Sequence, residues 1–374
     1  MKMIIPQHVI ETRIKHLRNA LAEKSLDALV LINDEKRGWE NLYYLSGFRG
    51  SSAVLTITHD EAILTTDSRY VTQASSQCCV EVRETQPGES QIESVLRLVR
   101  EMRLTAIAFD EASVSAQTYL KIANCPAKWH IFASQLARMR RHKDDWEVGC
   151  IKKACRIASQ AYLDALSQVR VGMTELEFSK LLELAIAKHE GEGVWHNSDM
   201  IVASGRRSAM PHGTATSKEM APGDQVTVDY GSIYGGYMSD ITRNFSLGRL
   251  SHPEFHDIHD VLLSAHQAAA SLLRPGVAVS EVHKAAQNVI TKAGYGAYFR
   301  HALGHSFGLE IHESPHLSLR SNEILEVGDV VTVEPGIYIP ERGGLRLEDD
   351  YLIVNGGAEC LTRDLPQEFV HLQL

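Results

Sequence analysis

The sequence is poor in basic residues relative to acidic ones, and it contains no long apolar run. Its 38 lysines and arginines stand against 47 aspartates and glutamates, which gives a formal net charge of -9. This balance argues against a nucleic-acid partner, because phosphate binding needs a concentrated basic face. No stretch approaches the roughly 18 apolar residues of a membrane span, and the first residues do not form a signal-peptide pattern. We therefore expect a cytoplasmic protein without a membrane partner.

Cysteine is also scarce. The six cysteines include no CxxC pair, and a chain of 374 residues is not a small disulfide-rich scaffold. A disulfide framework is therefore not expected, and reduced structural thiols fit this usage best.

The length of 374 residues corresponds to roughly two domains. Residues 1–137 alternate helical and strand patterns, with strands such as DALVLIN, SAVLTIT and TAIAFD. This alternation predicts an α/β domain with a mixed or parallel sheet. The basic run RMRRHK at 138–143 is interpreted as a solvated connector. Residues 138–374, which continue with long helical patterns, are predicted to form the second domain.

The second domain contains an internal duplication. GDQVTVDYG at 223–231 is nearly repeated as GDVVTVEPG at 328–336, and VRVGMTELE at 169–177 has a counterpart in LRPGVAVSE at 273–281. In each counterpart a Thr/Ser-Glu pair is expected to start a helix, with Thr174 and Glu177 forming a capping box. The offsets of 104 and 105 residues agree, which predicts a duplicated unit of helix, helix and β-hairpin. Two copies pack most simply around a pseudo-twofold axis, with their hairpins facing a shared cleft.

Each Val-Thr-Val strand carries a carboxylate, Asp229 in the first copy and Glu334 in the second. The return strands bring back Asp240 and Glu348, which hairpin pairing can set beside the first two. An isolated acid at a strand end is usually solvated, but these four lie in apolar runs at equivalent positions of a repeat. Four converging carboxylates repel unless a cation lies among them. Two divalent ions about 3.5–4 Å apart would satisfy them.

A histidine-rich segment, HALGHSFGLEIHE at 301–313, can supply a nitrogen ligand. A lone histidine is more often structural, but three within this segment, interleaved with glycine, favour a site. The overlapping HESPH at 312–316 matches the H-E-x-x-H zinc motif, which works only on a helix. Pro315 interrupts that turn, so we reject the zinc-helix interpretation.

These motifs resemble those of the pita-bread metallopeptidases, which include methionine aminopeptidase, Xaa-Pro dipeptidase and Xaa-Pro aminopeptidase. VDYG, SDITRNF, HALGHSFGLEIHE, VEPGIYIP and GLRLEDD occur in family order between about residues 145 and 365. The resemblance implies an α+β pita-bread catalytic domain over residues 138–374. The stretch LSGFRGSSAVLTITHDEAILTTDSRY resembles the N-terminal domain of creatinase/prolidase-like members, which implies that residues 1–137 form this α/β domain.

All five metal ligands of the family have a counterpart of the right type in this chain. The resemblance implies that Asp240 and Glu348 bridge two divalent ions. Asp229 is implied to bind one ion, and His305 with Glu334 to complete the other. A water between the ions is implied to lose a proton and to attack as hydroxide. Glu334 is implied to take this proton and to pass it to the departing nitrogen. Mn²⁺ suits this carboxylate-rich set, with Zn²⁺, Co²⁺ and Fe²⁺ as alternatives.

Four further residues fall on the family's substrate-binding positions. The resemblance implies that His212, His301 and His312 orient the scissile carbonyl and stabilise the developing oxyanion. Arg346 is implied to support the ligands or to bind substrate. It precedes Glu348 by two residues, so we expect both on one face of the same strand.

The implied reaction is hydrolysis of the bond between an N-terminal residue and a following proline. Proline has no amide hydrogen for a peptidase to grip, and a two-metal site needs none. The SGFRGSS and TDSRY stretches favour an Xaa-Pro aminopeptidase. The alternatives are an Xaa-Pro dipeptidase restricted to dipeptides and a catalytically silent peptide-binding protein of the same fold. The family also implies a homodimer.

Overall fold

The structure is a computed structural model, and it describes residues 4–35, 37–195 and 200–373. The chain divides into two compact units, residues 1–140 and 141–374. No disulfide links the six cysteines in the part of the chain that the structure describes. Among the described residues, no helix combines the length and the apolar character needed to cross a membrane.

The first unit is built on one six-stranded mixed sheet, as predicted. Its elements are α1 (Gln7–Glu23), β1 (Ala28–Asp34), α2 (Trp39–Ser46), β2 (Ser52–Thr58), β3 (Ala62–Thr66), α3 (Val71–Gln77), β4 (Glu81–Glu84), α4 (Gln91–Glu101), β5 (Ala106–Phe109), α5 (Ala116–Ile122), β6 (Lys128–Ile131) and α6 (Ala133–Arg141). The strand order is β4-β3-β2-β1-β5-β6. β1 pairs antiparallel with β2 and parallel with β5. The first six residues of β1 are all buried, because this central strand is covered on both faces.

The basic run at 138–143 is not a solvated connector, and this interpretation was wrong. Arg140 is buried and donates to Asn41 Oδ1 at 3.0 Å. Arg141 donates to Asp329 with Nε at 2.8 Å and Nη2 at 2.9 Å. The side chain of Lys143 is fully buried, with Nζ 2.8 Å from Glu313 Oε2. The run ends α6 and anchors the start of the second unit, because each buried cation has found an acceptor.

The described part of the second unit contains two helix pairs and two main sheets. Its elements are α7 (Asp145–Leu166), α8 (Glu175–Lys188), β7 (Ile201–Ser204), β8 (Gln225–Tyr230), β9 (Ile233–Tyr234), β10 (Tyr237–Met238), β11 (Ile241–Leu247), α9 (Glu254–Ala270), α10 (Val279–Lys292), β12 (Gly304–Ser306), β13 (Glu313–Leu317), β14 (Val330–Val333), β15 (Gly336–Ile339), β16 (Gly343–Arg346), β17 (Asp349–Val354), β18 (Gly357–Cys360) and β19 (Val370–Leu372). The main sheets have the orders β19-β11-β8-β7 and β13-β12-β14-β17-β18.

The two halves of this unit repeat each other in structure. β8 pairs antiparallel with β11 in the first half, and β14 with β17 in the second. Each begins after a glycine with positive φ, 90° at Gly223 and 92° at Gly328, a conformation that glycine adopts without steric cost. Each half has its own apolar core under its sheet. The halves meet where Thr242 and Glu348 form an isolated antiparallel bridge.

The helix starts of the two halves differ in chemistry. Thr174 caps α8 in a capping box with Glu177, as predicted. The counterpart of Thr174 is Ala278, which caps α10 without any side-chain bond. The Ser280–Glu281 pair lies in the first turn of α10, so a helix starts there as predicted, but neither residue is its N-cap. Val279 N instead donates to the Glu323 carbonyl, which satisfies one of the donors at the helix start.

Candidate metal centre

Three carboxylates converge at the junction of the two halves. Asp229 lies near the end of β8, Asp240 directly precedes β11, and Glu348 lies between β16 and β17. One oxygen from each lies within 4.8 Å of the others, and all three residues are buried. The backbone of Glu348 forms a β-bridge with Thr242, and the Thr242 hydroxyl donates to Glu348 Oε2 at 2.6 Å. These two contacts hold Glu348 in this position. The duplicated hairpins thus deliver acids from both halves to one point.

His305 and Glu334 stand beside this cluster. His305 Nε2 lies 3.6 Å from Asp240 Oδ2 and 3.3 Å from Glu334 Oε1. Glu334 follows the last residue of β14, and Thr332 Oγ1 both accepts from His305 N at 3.1 Å and donates to Glu334 Oε1 at 3.2 Å. His305 Nδ1 lies 3.2 Å from the Ser306 carbonyl. A proton on Nδ1 then leaves Nε2, on the carboxylate side, as the atom that can bind a metal.

Arg346 braces the first of these acids. Its Nη2 donates to Asp229 Oδ2, its Nε to Thr242 Oγ1 at 3.1 Å, and its Nη1 to the Pro211 carbonyl at 3.1 Å and to Tyr338. The prediction that Arg346 shares a strand with Glu348 was wrong, because β16 ends at Arg346 and Glu348 forms an isolated bridge before β17 begins. The guanidinium already contacts four acceptors, which makes it a support for the cluster.

The electrostatics of the cluster call for additional positive charge. Burial, and then the nearby Glu348 and Asp229 carboxylates, raise the pKa of Asp240. Burial, and then the Glu334 and Asp229 carboxylates, raise the pKa of Glu348. Burial also raises the pKa of Glu334. Among the described residues that line the cavity, the guanidinium of Arg346 faces four acids, namely Asp229, Asp240, Glu334 and Glu348. The charged forms of these acids are therefore disfavoured without a further cation.

The donor set fits a divalent metal. Asp229 Oδ1 is buried and has no hydrogen-bond partner among the described residues, and a buried oxygen of this kind is costly unless something binds it. Burial, and then the nearby His312, lower the pKa of His305 to about 3, so its imidazole is neutral and can act as a ligand at ordinary pH. Carboxylate oxygens with one imidazole suit first-row divalent ions. The residues present thus fit one or more such ions.

The three histidines predicted to contact substrate lie around the same cavity, which has a volume of about 260 Å³. The described residues that line it are Trp195, Ile201, Pro211, His212, Asp229, Asp240, His301, Ala302, Gly304, His305, Ile311, His312, His316, Glu334, Arg346 and Glu348. Burial, and then Arg346, lower the pKa of His301 to about 4. His301 Nδ1 lies 2.8 Å from the Ala302 carbonyl, and its buried Nε2 has no partner among the described residues. The structure therefore brings all the sequence-predicted site residues to one cavity.

The sequence matches the model of metallopeptidase family M24 over residues 149–355. The chain belongs to metallopeptidase family M24. The model of the creatinase/prolidase N-terminal domain matches residues 13–142. An M24 chain is a hydrolase that depends on divalent metal, and the convergence of Asp229, Asp240 and Glu348 agrees with this membership.

Relatives of this M24 metallopeptidase carry two functional names. The Xaa-Pro dipeptidase of Pyrococcus horikoshii is 31% identical over 361 residues, which cover 95% of this chain and 98% of the relative. The crystal structure of an X-Pro aminopeptidase from Thermotoga maritima matches with a TM-score of 0.90 and 36% identity, over 96% of this chain and 99% of that chain. An Xaa-Pro dipeptidase structure from Bacillus anthracis matches with the same TM-score of 0.90 and 36% identity, over 97% and 100%. The pita-bread fold and the creatinase-type N-terminal domain are thereby confirmed.

Several residues of this M24 site were missed by sequence reasoning. His316, Trp195 and Ile311 line the cavity but were assigned no role, although His316 ends the HESPH segment and Ile311 lies in HALGHSFGLEIHE. Asp350 accepts from Asp240 N at 3.1 Å, and its position as the last acid of the LEDD motif at 347–350 was the available signal. The rejection of the H-E-x-x-H helix holds, because residues 313–317 form the strand β13.

Proposed function

We propose that this M24 metallopeptidase hydrolyses the bond between an N-terminal residue and a following proline, as an Xaa-Pro aminopeptidase. The observation that carries the proposal is the convergence of five potential ligands and three histidines on one cavity. The similarity to an X-Pro aminopeptidase over nearly the whole chain supports the proline preference.

Two divalent ions, with Mn²⁺ favoured over Zn²⁺, Co²⁺ and Fe²⁺, are proposed as the cofactor. Asp229, Asp240 and Glu348 would hold metal on one side of the cavity, and His305 with Glu334 on the other. When bound, such ions supply Lewis acidity and lower the pKa of water towards neutrality. Arg346 keeps Asp229 oriented, and Thr242 does the same for Glu348.

Glu334 is proposed to move the proton. Its carboxylate lies in the cavity at the end of β14 and is held by Thr332 Oγ1 at 3.2 Å. A carboxylate in this position can accept a proton from the attacking water and return it to the departing proline nitrogen. General acid-base catalysis of this kind contributes typically 10²- to 10⁴-fold.

The three histidines are proposed to hold the substrate in different ways. His301 with its proton on Nδ1 donates to the Ala302 carbonyl, so Nε2 faces the cavity as an acceptor. His301 is therefore suited to bind a substrate N–H or ammonium group, in contrast to the oxyanion role that the resemblance implies. His212 and His312 retain the proposed role of donors to the carbonyl oxygen, where donors that meet developing charge are most effective.

The dipeptidase is the second candidate function. The relative named Xaa-Pro dipeptidase from Bacillus anthracis is as similar to the chain as the aminopeptidase. The chemistry of the two is the same, and they differ in whether the substrate can continue beyond proline. From the resemblance we also propose a homodimer, which light scattering on purified protein would test. From the sequence we propose a cytoplasmic location.

The test is a set of matched peptides with Mn²⁺-reconstituted protein. Ala-Pro, Ala-Pro-Ala and Ala-Ala-Ala are assayed for release of the first alanine. The proposal predicts hydrolysis of Ala-Pro-Ala well above that of Ala-Ala-Ala. Cleavage of Ala-Pro alone would identify a dipeptidase, and equal rates for the two tripeptides would contradict the proline preference.

A further inference from the structure

A buried carboxylate outside the metal centre gathers an unusual number of donors. Glu175 is the first residue of α8 and is fully buried. Its Oε1 accepts from Ser204 N at 2.8 Å and Ser204 Oγ at 2.7 Å. Its Oε2 accepts from Thr216 N at 3.2 Å and Thr216 Oγ1 at 2.8 Å, and it forms an ion pair with Arg207. A buried charge is tolerated at such a place because it is paired and hydrogen-bonded.

These donors belong to the two ends of one loop. Ser204 ends β7, and the chain then makes a 3₁₀ turn over Gly205–Ala209 before it reaches Thr216. Arg207 links the middle of the loop to the same carboxylate, because its Nη2 also donates to the Thr214 carbonyl at 2.8 Å. We refer to residues 204–216 as the clamped loop. Glu175 closes it at both ends, although the carboxylate comes from a different element.

The clamped loop carries groups that belong to the catalytic cavity. His212 and Pro211 line the cavity, and the Pro211 carbonyl accepts from Arg346 Nη1 at 3.1 Å. Ser208 Oγ accepts from Gly344 N at 2.8 Å, which joins the loop to the strand β16 that ends in Arg346. A displacement of the loop would therefore move His212 and would disturb Arg346 at the same time.

We propose that Glu175 is a positioning residue for catalysis, which holds the clamped loop so that His212 faces the substrate. This inference rests on the proposed function, because it takes the contact between His212 and substrate from it. Glu175 touches neither metal ligands nor substrate, and it acts only through the loop. The pair with Glu175 gives a role to Arg207, whereas the neighbouring Arg206 is exposed.

The kinetic test uses Glu175→Gln with Glu183→Gln as the matched control. Glu183 lies on the same helix, in an exposed pair with Lys180. Glutamine cannot accept all the bonds that Glu175 accepts, so the loop is released, and misplacement of a catalytic group by about 1 Å can cost 10²-fold. We expect Glu175→Gln to lower kcat/KM for Ala-Pro-Ala by about 10- to 100-fold, and Glu183→Gln to leave it unchanged.

A double-mutant cycle with His212→Ala separates positioning from a general loss of structure. If Glu175 acts through His212, the loss caused by Glu175→Gln is clearly smaller in the His212→Ala background than in the wild type, and what remains reflects the disturbance of Arg346. Additive losses would overturn the proposal. Arg207→Met, at a partly exposed position, provides a second variant should Glu175→Gln fold poorly, and Arg207→Lys should recover part of its loss.

Amide hydrogen exchange provides a readout that does not depend on activity. The proposal predicts faster exchange over residues 204–216 in Glu175→Gln and Arg207→Met, with Glu183→Gln equal to the wild type. Unchanged exchange in both loop variants would overturn the clamp. A wild-type protein that fails to cleave Ala-Pro-Ala would contradict the proposed function instead, and the exchange measurement would still decide whether Glu175 holds the loop.

Discussion

Replacing Arg243 by methionine is predicted to destabilise the catalytic unit strongly. Arg243 is 2% exposed and uses its whole guanidinium. Nη1 donates to the carbonyls of Thr242 at 3.0 Å and Glu348 at 2.6 Å. Nη2 donates to Asp349 Oδ1 at 2.6 Å and Nε to the Pro366 carbonyl at 2.8 Å. The substitution leaves these acceptors, including the buried carboxylate of Asp349, without this donor.

The size of the effect follows from burial. Removing one partner of a buried ion pair costs about 3–5 kcal/mol. The pair of Lys152 and Glu359 has a similar length, 2.7 Å, but both side chains are 40% exposed, and such pairs contribute about 0–1 kcal/mol. In a folding unit of about 150–250 residues, 1 kcal/mol shifts Tm by about 2–4 °C. Arg243→Met should therefore lower Tm by about 6–20 °C, and Lys152→Met by about 4 °C at most.

Differential scanning calorimetry of both variants measures this difference, first on chelator-treated protein and then with excess Mn²⁺. Arg243→Lys should lie between wild type and Arg243→Met, because lysine keeps the charge but loses the planar fork. Since Arg243 holds the Glu348 carbonyl, Arg243→Met should also gain less stability from added metal than the wild type. Equal Tm values for Arg243→Met and Lys152→Met would refute the reasoning.

Three further predictions concern the site. Glu334→Gln should lower kcat by about 10²- to 10⁴-fold, and near-native turnover would remove Glu334 from proton transfer. Asp240→Asn should lose bound metal in elemental analysis of the dialysed protein, with Glu183→Gln retaining the wild-type content; equal contents would contradict its role as a ligand. Asp350→Ala removes the acceptor of Asp240 N and should weaken metal affinity by about 10- to 100-fold in calorimetric titrations, and unchanged affinity would exclude this support.

The duplication and the convergence of the acids on one cavity could be predicted from the sequence because they follow from local patterns. The Val-Thr-Val strands place Val226 and Val228 in the core, so strand alternation turns Asp229 towards the cleft. The presence of acids at equivalent positions of the second half follows from the repeat. The side on which Glu334 lies could be inferred only by analogy, because β14 ends one residue before it.

What the sequence could not predict depends on long-range contacts. Arg243 finds its acceptors at Leu365 and Pro366, more than a hundred residues away. Lys143 looked solvated because its neighbours are charged, but tertiary packing buries it against Glu313. Glu175 joins the start of α8 to the clamped loop. Neither segment has a sequence pattern that predicts contact with the other.

The most direct test of the central claim is a metal titration of the chelator-treated protein. Mn²⁺ is added in steps while bound metal and the cleavage of Ala-Pro-Ala are followed on the same samples. The account predicts an inactive starting protein and activity that rises as metal binds and levels off at two ions per chain. Full cleavage by the metal-free protein, or no bound metal at saturating Mn²⁺, would contradict it.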